Sequence, residues 1–307
     1  MRTRPHDAMA PPVDIAGLEP LQAIRSRWPT IIGFGLSASM IVGLARELLG
    51  SGLAGLSRAV PASPAFYLAF ALFYFGPPFF DFVIFRRLWG IPAAGFAALL
   101  RKRIANDVVI GYSGEAYFYA WARARTHIVA APFGAVKDVS ILSALAGNAV
   151  TLLTVALALP IAHKLLSGDE FRTVLGSTGI ALAASLPFLL FSRRVFSLPR
   201  ARLWEVFGIH CCRLLIGSVF IAFAWHSAEP DVPISMWLLL AAGRLLVSRL
   251  PLVPNKDLIF ANIAILLIGE DHEVAALIAF VAAATLLAHV LLIAGFAAEA
   301  LVRRRLA

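Results

Sequence analysis

Apolar residues gather in runs of spanning length at 30–49, 64–85, 139–162, 174–192, 206–225, 234–250 and 275–300. Each is close to the roughly 20 residues a helix needs to cross the hydrocarbon core. A shorter run, 257–268, is marginal. The pattern predicts an all-α, polytopic helical membrane protein with about 6 to 8 crossings and re-entrant or broken helices. Two regions resist simple assignment. Residues 88–136 are interrupted by Arg101, Lys102, Arg103, Asp107, Glu115, Arg123 and Arg125 too often for lipid-facing spans, which predicts an amphipathic interfacial helix followed by a re-entrant piece. Residues 234–268 fit either two crossings with a cytoplasmic turn at Pro251 to Lys256 or a re-entrant hairpin entered from outside. The first arrangement gives about eight crossings and a parallel repeat, the second about six and an inverted one.

The stretch from Arg244 to Phe260, RLLVSRLPLVPNKDLIF, places two prolines, Asn255, Lys256 and Asp257 in sequence that would otherwise cross a bilayer. Its backbone cannot be one continuous buried helix. An earlier stretch, RTHIVAAPFGAVKDVSI from Arg125 to Ile141, shares the Arg, Pro, Lys and Asp at positions 125 and 244, 132 and 251, 137 and 256, 138 and 257. Paired broken segments in two halves of a chain point to a transporter's binding site. The expectation is one shared polar cavity, with Lys137 facing Asp257 and Lys256 facing Asp138.

Composition agrees with the pattern: 60% of residues are hydrophobic, 15% charged, and the mean hydropathy is +0.82. The chain is therefore read as an integral membrane protein. Its net charge of +9 is explained by where the cations sit. With a cytoplasmic N-terminus, segments 1–29, 86–137, 193–202, 244–256 and 303–305 hold 22 of the 27 Lys and Arg, against Arg58, Lys164 and Arg172 in the outer connections. That asymmetry predicts an even number of crossings and both termini in the cytoplasm of a bacterial-type inner membrane. It removes nucleic acid as a partner and adds attraction to anionic inner-leaflet lipids. The expected organisation is a cytoplasmic segment at 1–27, a membrane domain at 28–302 and a basic tail at 303–307. No cleavable leader opens the sequence, so the first span is expected to act as its own targeting signal. Adjacent Cys211 and Cys212 offer neither a disulfide framework nor a metal pair and read as packing residues. The seven histidines lack metal-ligand spacing, so no metal and no cofactor are expected. Trp28, Trp89, Trp204, Trp225 and Trp237 fall near span ends and are expected to be interfacial anchors.

Several motifs, in order, resemble the membrane region of lysylphosphatidylglycerol synthases and the wider flippase-like integral membrane family. They are FRRLW at Phe85 to Trp89, Gly114-Glu115, Lys137-Asp138 opening a long span, and the turn Pro251-Leu-Val-Pro254. The resemblance covers about Phe80 to Ala297. It implies a lipid-handling membrane domain and raises the interest of Glu115. The chain departs from the family pattern at Asn255-Lys256-Asp257, where glycines are usual, and near Phe118, where an Arg is usual. Aminoacylating members carry a large soluble domain after the membrane region, and with the sequence ending at Ala307 no synthetase domain is expected.

The candidate cavity residues are Glu115, Arg125, Lys137, Asp138, Arg213, Arg244, Asn255, Lys256 and Asp257. Arg213 lies eight residues inside its run, about 12 Å deep at 1.5 Å per residue, and needs an acid partner, for which Glu115 or Asp257 is expected. Cations of this kind suit a phosphate or other anionic group. The leading function is translocation or binding of a lipid or other amphiphile, with anionic or phosphate-bearing membrane lipids as partners. No catalytic motif is found. A membrane enzyme on lipid-linked substrates is the alternative, disfavoured because Asp107, Glu115, Asp138 and Asp257 are singletons rather than a metal-holding set. A noncatalytic membrane subunit is the third reading.

Overall fold

The computed structural model describes residues 60–108, 112–123, 132–165, 196–250, 253, 255–268 and 272–306, together with isolated positions between 168 and 183. Eight helices occupy these residues: α1 (Pro64–Trp89), α2 (Gly95–Val108), α3 (Ser113–Arg123), α4 (Pro132–Leu165), α5 (Arg200–Ala228), α6 (Ile234–Val247), α7 (Lys256–Ile268) and α8 (His272–Leu306). No strand occurs among them. Four helices, α1, α4, α5 and α8, are long and apolar enough to cross a membrane. The expected runs at 30–49 and 174–192 lie outside the described residues, apart from isolated positions in the second.

Helix length separates the elements into two kinds. The four long helices have 26, 34, 29 and 35 residues, whereas α2, α3, α6 and α7 have 14, 11, 14 and 13. A 14-residue helix is about 21 Å long, short of the ~30 Å hydrocarbon core. The order long, short, short, long therefore occurs twice, at 64–165 and at 200–306.

Directions follow from contacts at known positions. The end of α1 meets the start of α5 through Arg87 and Glu205, 2.7 Å apart, so these helices are antiparallel. Arg213 of α5 reaches Ser143 of α4, each near the middle of its helix, and Asp138 near the start of α4 binds the segment leading into α5. These two helices thus run in parallel. Phe66 and Tyr74 of α1 pack on Phe280 and His289 of α8, again in parallel. The second half repeats the first in the opposite sense: α2–α3 is a hairpin entered from the basic side, and α6–α7 a hairpin entered from the acidic side. Helix lengths and directions place 200–306 as an inverted counterpart of 64–165, the order that goes with the hairpin arrangement of 234–268.

This changes the register of the repeat expected from sequence. Pro132 opens the 34-residue α4, whereas Lys256 opens the 13-residue α7, so 125–141 and 244–260 are not equivalent elements. The equivalent of the turn that ends at Asn255 before α7 is the turn that ends at Tyr112 before α3. Both tips share a device: the residue before each returning helix has a positive φ, +74° at Tyr112 and +48° at Asn255. Such a conformation is uncommon outside glycine and Asn. At the first tip, Asn106 Oδ1 accepts the Gly114 amide at 2.7 Å, and a side chain at Gly114 would run into the Lys102 carbonyl. Glycine is what lets α3 return so close to α2.

Local signals explain the ends of α1. Pro64 stands at its first position, where a missing N–H costs nothing, and Gly90 closes it in the left-handed region with its amide on the Arg86 carbonyl. Pro77 and Pro78 interrupt its middle. Two apolar clusters bind the helices together. One, on the acidic side, joins α1, α5, α6, α7 and α8 around Phe66, Trp225 and Trp237; the other joins α1 to α5 around Phe85, Leu99 and Phe118. Trp225 and Trp237 are 1% and 0% exposed, with rings 5.8 Å apart. They are core residues and not interfacial anchors, because each sits where α5 and α6 close on one another. Trp204 is exposed. Cys212 is exposed and Cys211 half-exposed, so this pair faces outward instead of packing in the interior.

Candidate functional site

The two hairpin tips meet. The Asn255 amide donates to the Asp107 carbonyl at 2.6 Å, linking the end of α2 to the start of α7. Around this junction lies a cavity of about 270 Å³, on the scale of a headgroup and not of a whole lipid. Its walls come from the middle of α1 (Phe73, Pro77), of α5 (Arg213, Gly217) and of α8 (Thr285, His289). A cavity at the mid-level of three spanning helices lies near the membrane's centre, where irregular backbone is tolerated only against protein or a polar space.

Charge gathers there in pairs. Arg244 of α6 meets Asp257 of α7 at 2.6 Å and covers the Phe73 ring at 4.4 Å. Arg103 of α2 lies within 3.4 Å of Asp107 and over the Tyr74 ring. Its guanidinium also donates to the Tyr74 carbonyl. That carbonyl is the one Pro78 leaves without its helical amide, so the α1 break and the α2 cation answer one another. His289 joins the two: its Nδ1 is hydrogen-bonded with the Tyr74 hydroxyl at 2.6 Å, and its Nε2 lies 3.3 Å from the Asp107 carboxylate.

Arg213 finds its acid on α1: Asp81 at 3.0 Å, with Ser143 at 2.8 Å. Lys102 takes the other side of Asp81 at 2.7 Å and reaches Glu115 at 3.4 Å. The expectation of Glu115 or Asp257 as partner for Arg213 is thus corrected. Asp81 is nearer because α1 packs along α5, whereas Glu115 belongs to Lys102 and Asp257 to Arg244.

Of the residues expected in the cavity, Arg213, Arg244, Asn255, Lys256 and Asp257 line it. Glu115 is one step behind, through Lys102. Lys137 and Asp138 are elsewhere. Asp138 is fully buried and accepts the backbone amides of Ser197 and Leu198 at 2.6 and 2.7 Å, beside Lys137 at 3.4 Å. It ties the segment before α5 to the start of α4, so the pairing of Lys137 with Asp257 and of Lys256 with Asp138 is overturned. Nine residues separate Asp138 from Gly147, where α4 reaches the cavity level, about 13 Å along the helix. Arg125, Pro251 and Pro254 lie outside the described residues.

Sequence reasoning passed over Asp81, Arg249 and His289. Each carried a signal: a lone acid inside the 64–85 run, a third cation in the broken segment, and a single His in the last apolar run. Ionisable residues inside apolar runs are functional candidates by default, and Asp81 and His289 belonged beside Arg213 on that ground. Pro77-Pro78 was a comparable signal for a break in α1.

The fold and this cavity define the class: a polytopic helical membrane protein built on two opposed hairpins. No family model matches the chain, and neither the curated proteins nor the solved structures provide a match.

Proposed function

We propose that the protein binds and translocates an anionic amphiphile, with the headgroup held in the mid-level cavity. The observation that carries this reading is the lining itself: among the described residues, Arg103, Arg213, Arg244, Arg249 and Lys256 face a space bounded by two carboxylates, Asp107 and Asp257. Moving a charged headgroup across hydrocarbon requires a polar stop of this sign at the deepest point. Two hairpins inserted from opposite sides give each leaflet its own entrance element, the arrangement alternating access needs. The resemblance to the flippase-like family points the same way and supports a transporter over an enzyme. In this reading the protein resides in a bacterial-type inner membrane with both termini cytoplasmic. The charge asymmetry still favours that orientation: Arg244, Arg249 and Lys256, and Lys102 and Arg103 of the other hairpin, leave the count, yet 17 basic residues remain on that side against three.

Reconstitution into vesicles holding short-chain fluorescent phospholipids, with dithionite quenching of the outer leaflet, tests the proposal. Protein-dependent exposure of inner-leaflet probe, at least fivefold weaker in Arg244→Ala, is the expected result. Transfer no faster than in protein-free vesicles counts against it.

A further inference from the structure

The charges around the cavity do not balance, and the residue is informative. Among the described residues the connected set contains six cations, Lys102, Arg103, Arg213, Arg244, Arg249 and Lys256, and four carboxylates, Asp81, Asp107, Glu115 and Asp257. Counted over the lysine, arginine and carboxylate side chains alone, two positive charges are left over. They are not spread evenly. Lys102, Arg103, Arg213 and Arg244 each have a carboxylate within 4 Å. Arg249 and Lys256 have none among the described residues. Both instead hold Ser248: Arg249 donates to its hydroxyl from Nε at 3.1 Å and Nη2 at 2.7 Å, and Lys256 donates to its carbonyl at 2.8 Å.

Two cations drawn to one neutral residue repel each other, and low dielectric makes that repulsion expensive. The fold nevertheless makes room for them. A Cβ at Gly147 of α4 would overlap the Arg249 guanidinium, so glycine at that position is what admits the side chain. Arg213 Nε, also at the cavity, is buried without an acceptor. A planar fork, an ammonium and a spare guanidinium N–H match the oxygens of a phosphate, for which arginine is particularly suited.

We infer that the cavity selects a doubly charged phosphate group, a phosphomonoester, through Arg249 and Lys256, in preference to the singly charged phosphodiester of common phospholipids. This rests on the anionic-amphiphile reading and narrows it to one headgroup class. A phosphomonoester carries close to two charges above its second pKa of about 6, which matches the charge left over; a diester would leave one cation unneutralised.

The test is titration calorimetry on the full chain in detergent micelles, with four probes: dihexanoyl phosphatidic acid, dihexanoyl phosphatidylglycerol, glycerol 3-phosphate and inorganic phosphate. At pH 8 the phosphatidic acid should bind about tenfold or more tightly than the phosphatidylglycerol, the advantage shrinking to below about threefold at pH 5.5, where the monoester is mostly singly charged. Arg249→Gln and Lys256→Gln should each weaken both lipids, the phosphatidic acid by the larger factor, so that its advantage at pH 8 falls below about threefold. Gly147→Ala, which keeps every charge but displaces the guanidinium, should do the same, so the outcome does not hang on one variant folding. Weak binding of glycerol 3-phosphate and inorganic phosphate places the source in a lipid. Equally tight binding of all three monoanion-to-dianion species keeps the phosphate selectivity and overturns only the amphiphile reading. Equal binding of the two lipids overturns the phosphomonoester inference and leaves the amphiphile reading standing. Binding of none of the four overturns both.

Discussion

Asp81 is the most informative single residue to remove. Its carboxylate is 9% exposed and holds Lys102 at 2.7 Å and Arg213 at 3.0 Å, whose side chains are themselves only 10% and 14% exposed. In Asp81→Ala, Lys102 keeps Glu115, but among the described residues Arg213 retains only the hydroxyl of Ser143. Breaking a buried ion pair from one side costs about 3–5 kcal/mol, because the desolvation of the remaining charge is no longer offset. At about 1.4 kcal/mol per decade, that lowers the folding equilibrium constant at least a hundredfold. Replacing both partners removes the stranded charge, so Asp81→Ala/Arg213→Leu should be more stable than the sum of its single changes by up to about 3 kcal/mol. Reversible unfolding of the four proteins in mixed micelles, followed by tryptophan fluorescence, measures this coupling. Additive single effects, within about 0.5 kcal/mol, would show that the two charges do not meet and would remove the α1–α5 core of the account.

Asp138→Ala should destabilise by about 1–3 kcal/mol, since two amides before α5 lose their acceptor; its effect should add to that of Lys256→Ala without coupling, because the two sites are separate, and the same unfolding series checks both. Gly114→Ala should cost about 1–3 kcal/mol by forcing α3 away from the Lys102 carbonyl, read as a lower melting temperature in detergent. Trp237→Ala should cost about 3–5 kcal/mol as a core deletion, in contrast to Trp204→Ala, which is on the surface and should fall within about 0.5 kcal/mol. A phosphatase-type reporter fused at Ala307 should be silent and a cytoplasmic reporter active.

Much of the architecture was legible in the apolar runs. Four of the seven correspond to the long helices α1, α4, α5 and α8, because about 20 consecutive apolar residues have few other uses. The shorter elements were harder. The run 234–250 has spanning length on paper, yet α6 ends at Val247 and the cations behind it turn back at mid-level; length alone does not tell a short span from half a hairpin. For 88–136, charged residues correctly excluded lipid-facing spans, but they hide a second hairpin whose cations face inward to Asp81 and Asp107. The Pro, Lys and Asp identities at 132–138 and 251–257 misled because a proline and an acid near a helix start are common local chemistry. The true correspondence rests on helix lengths and direction, which leave almost no trace in residue identity. Arg213 was recognisable as a buried cation from its depth. Its partner was not, since charge spacing along the chain says nothing about which helix lies opposite.

The central claim is that hairpins from opposite sides of the membrane touch at their tips, and the Asn255–Asp107 junction is where it can be measured. Asp107→Cys/Asn255→Cys, in a background with Cys211 and Cys212 changed to Ser, should form an intramolecular disulfide in native membranes on mild oxidation. The pair Arg87→Cys/Glu205→Cys, whose native contact spans two long side chains, serves as the control for the α1–α5 contact when treated with a thiol-to-thiol cross-linker of matching reach, since a direct disulfide would be too short. Cross-linking at both pairs is the predicted result; cross-linking of the control alone, with residues 107 and 255 unreactive towards each other, would contradict the meeting of the two hairpins and the cavity built on it.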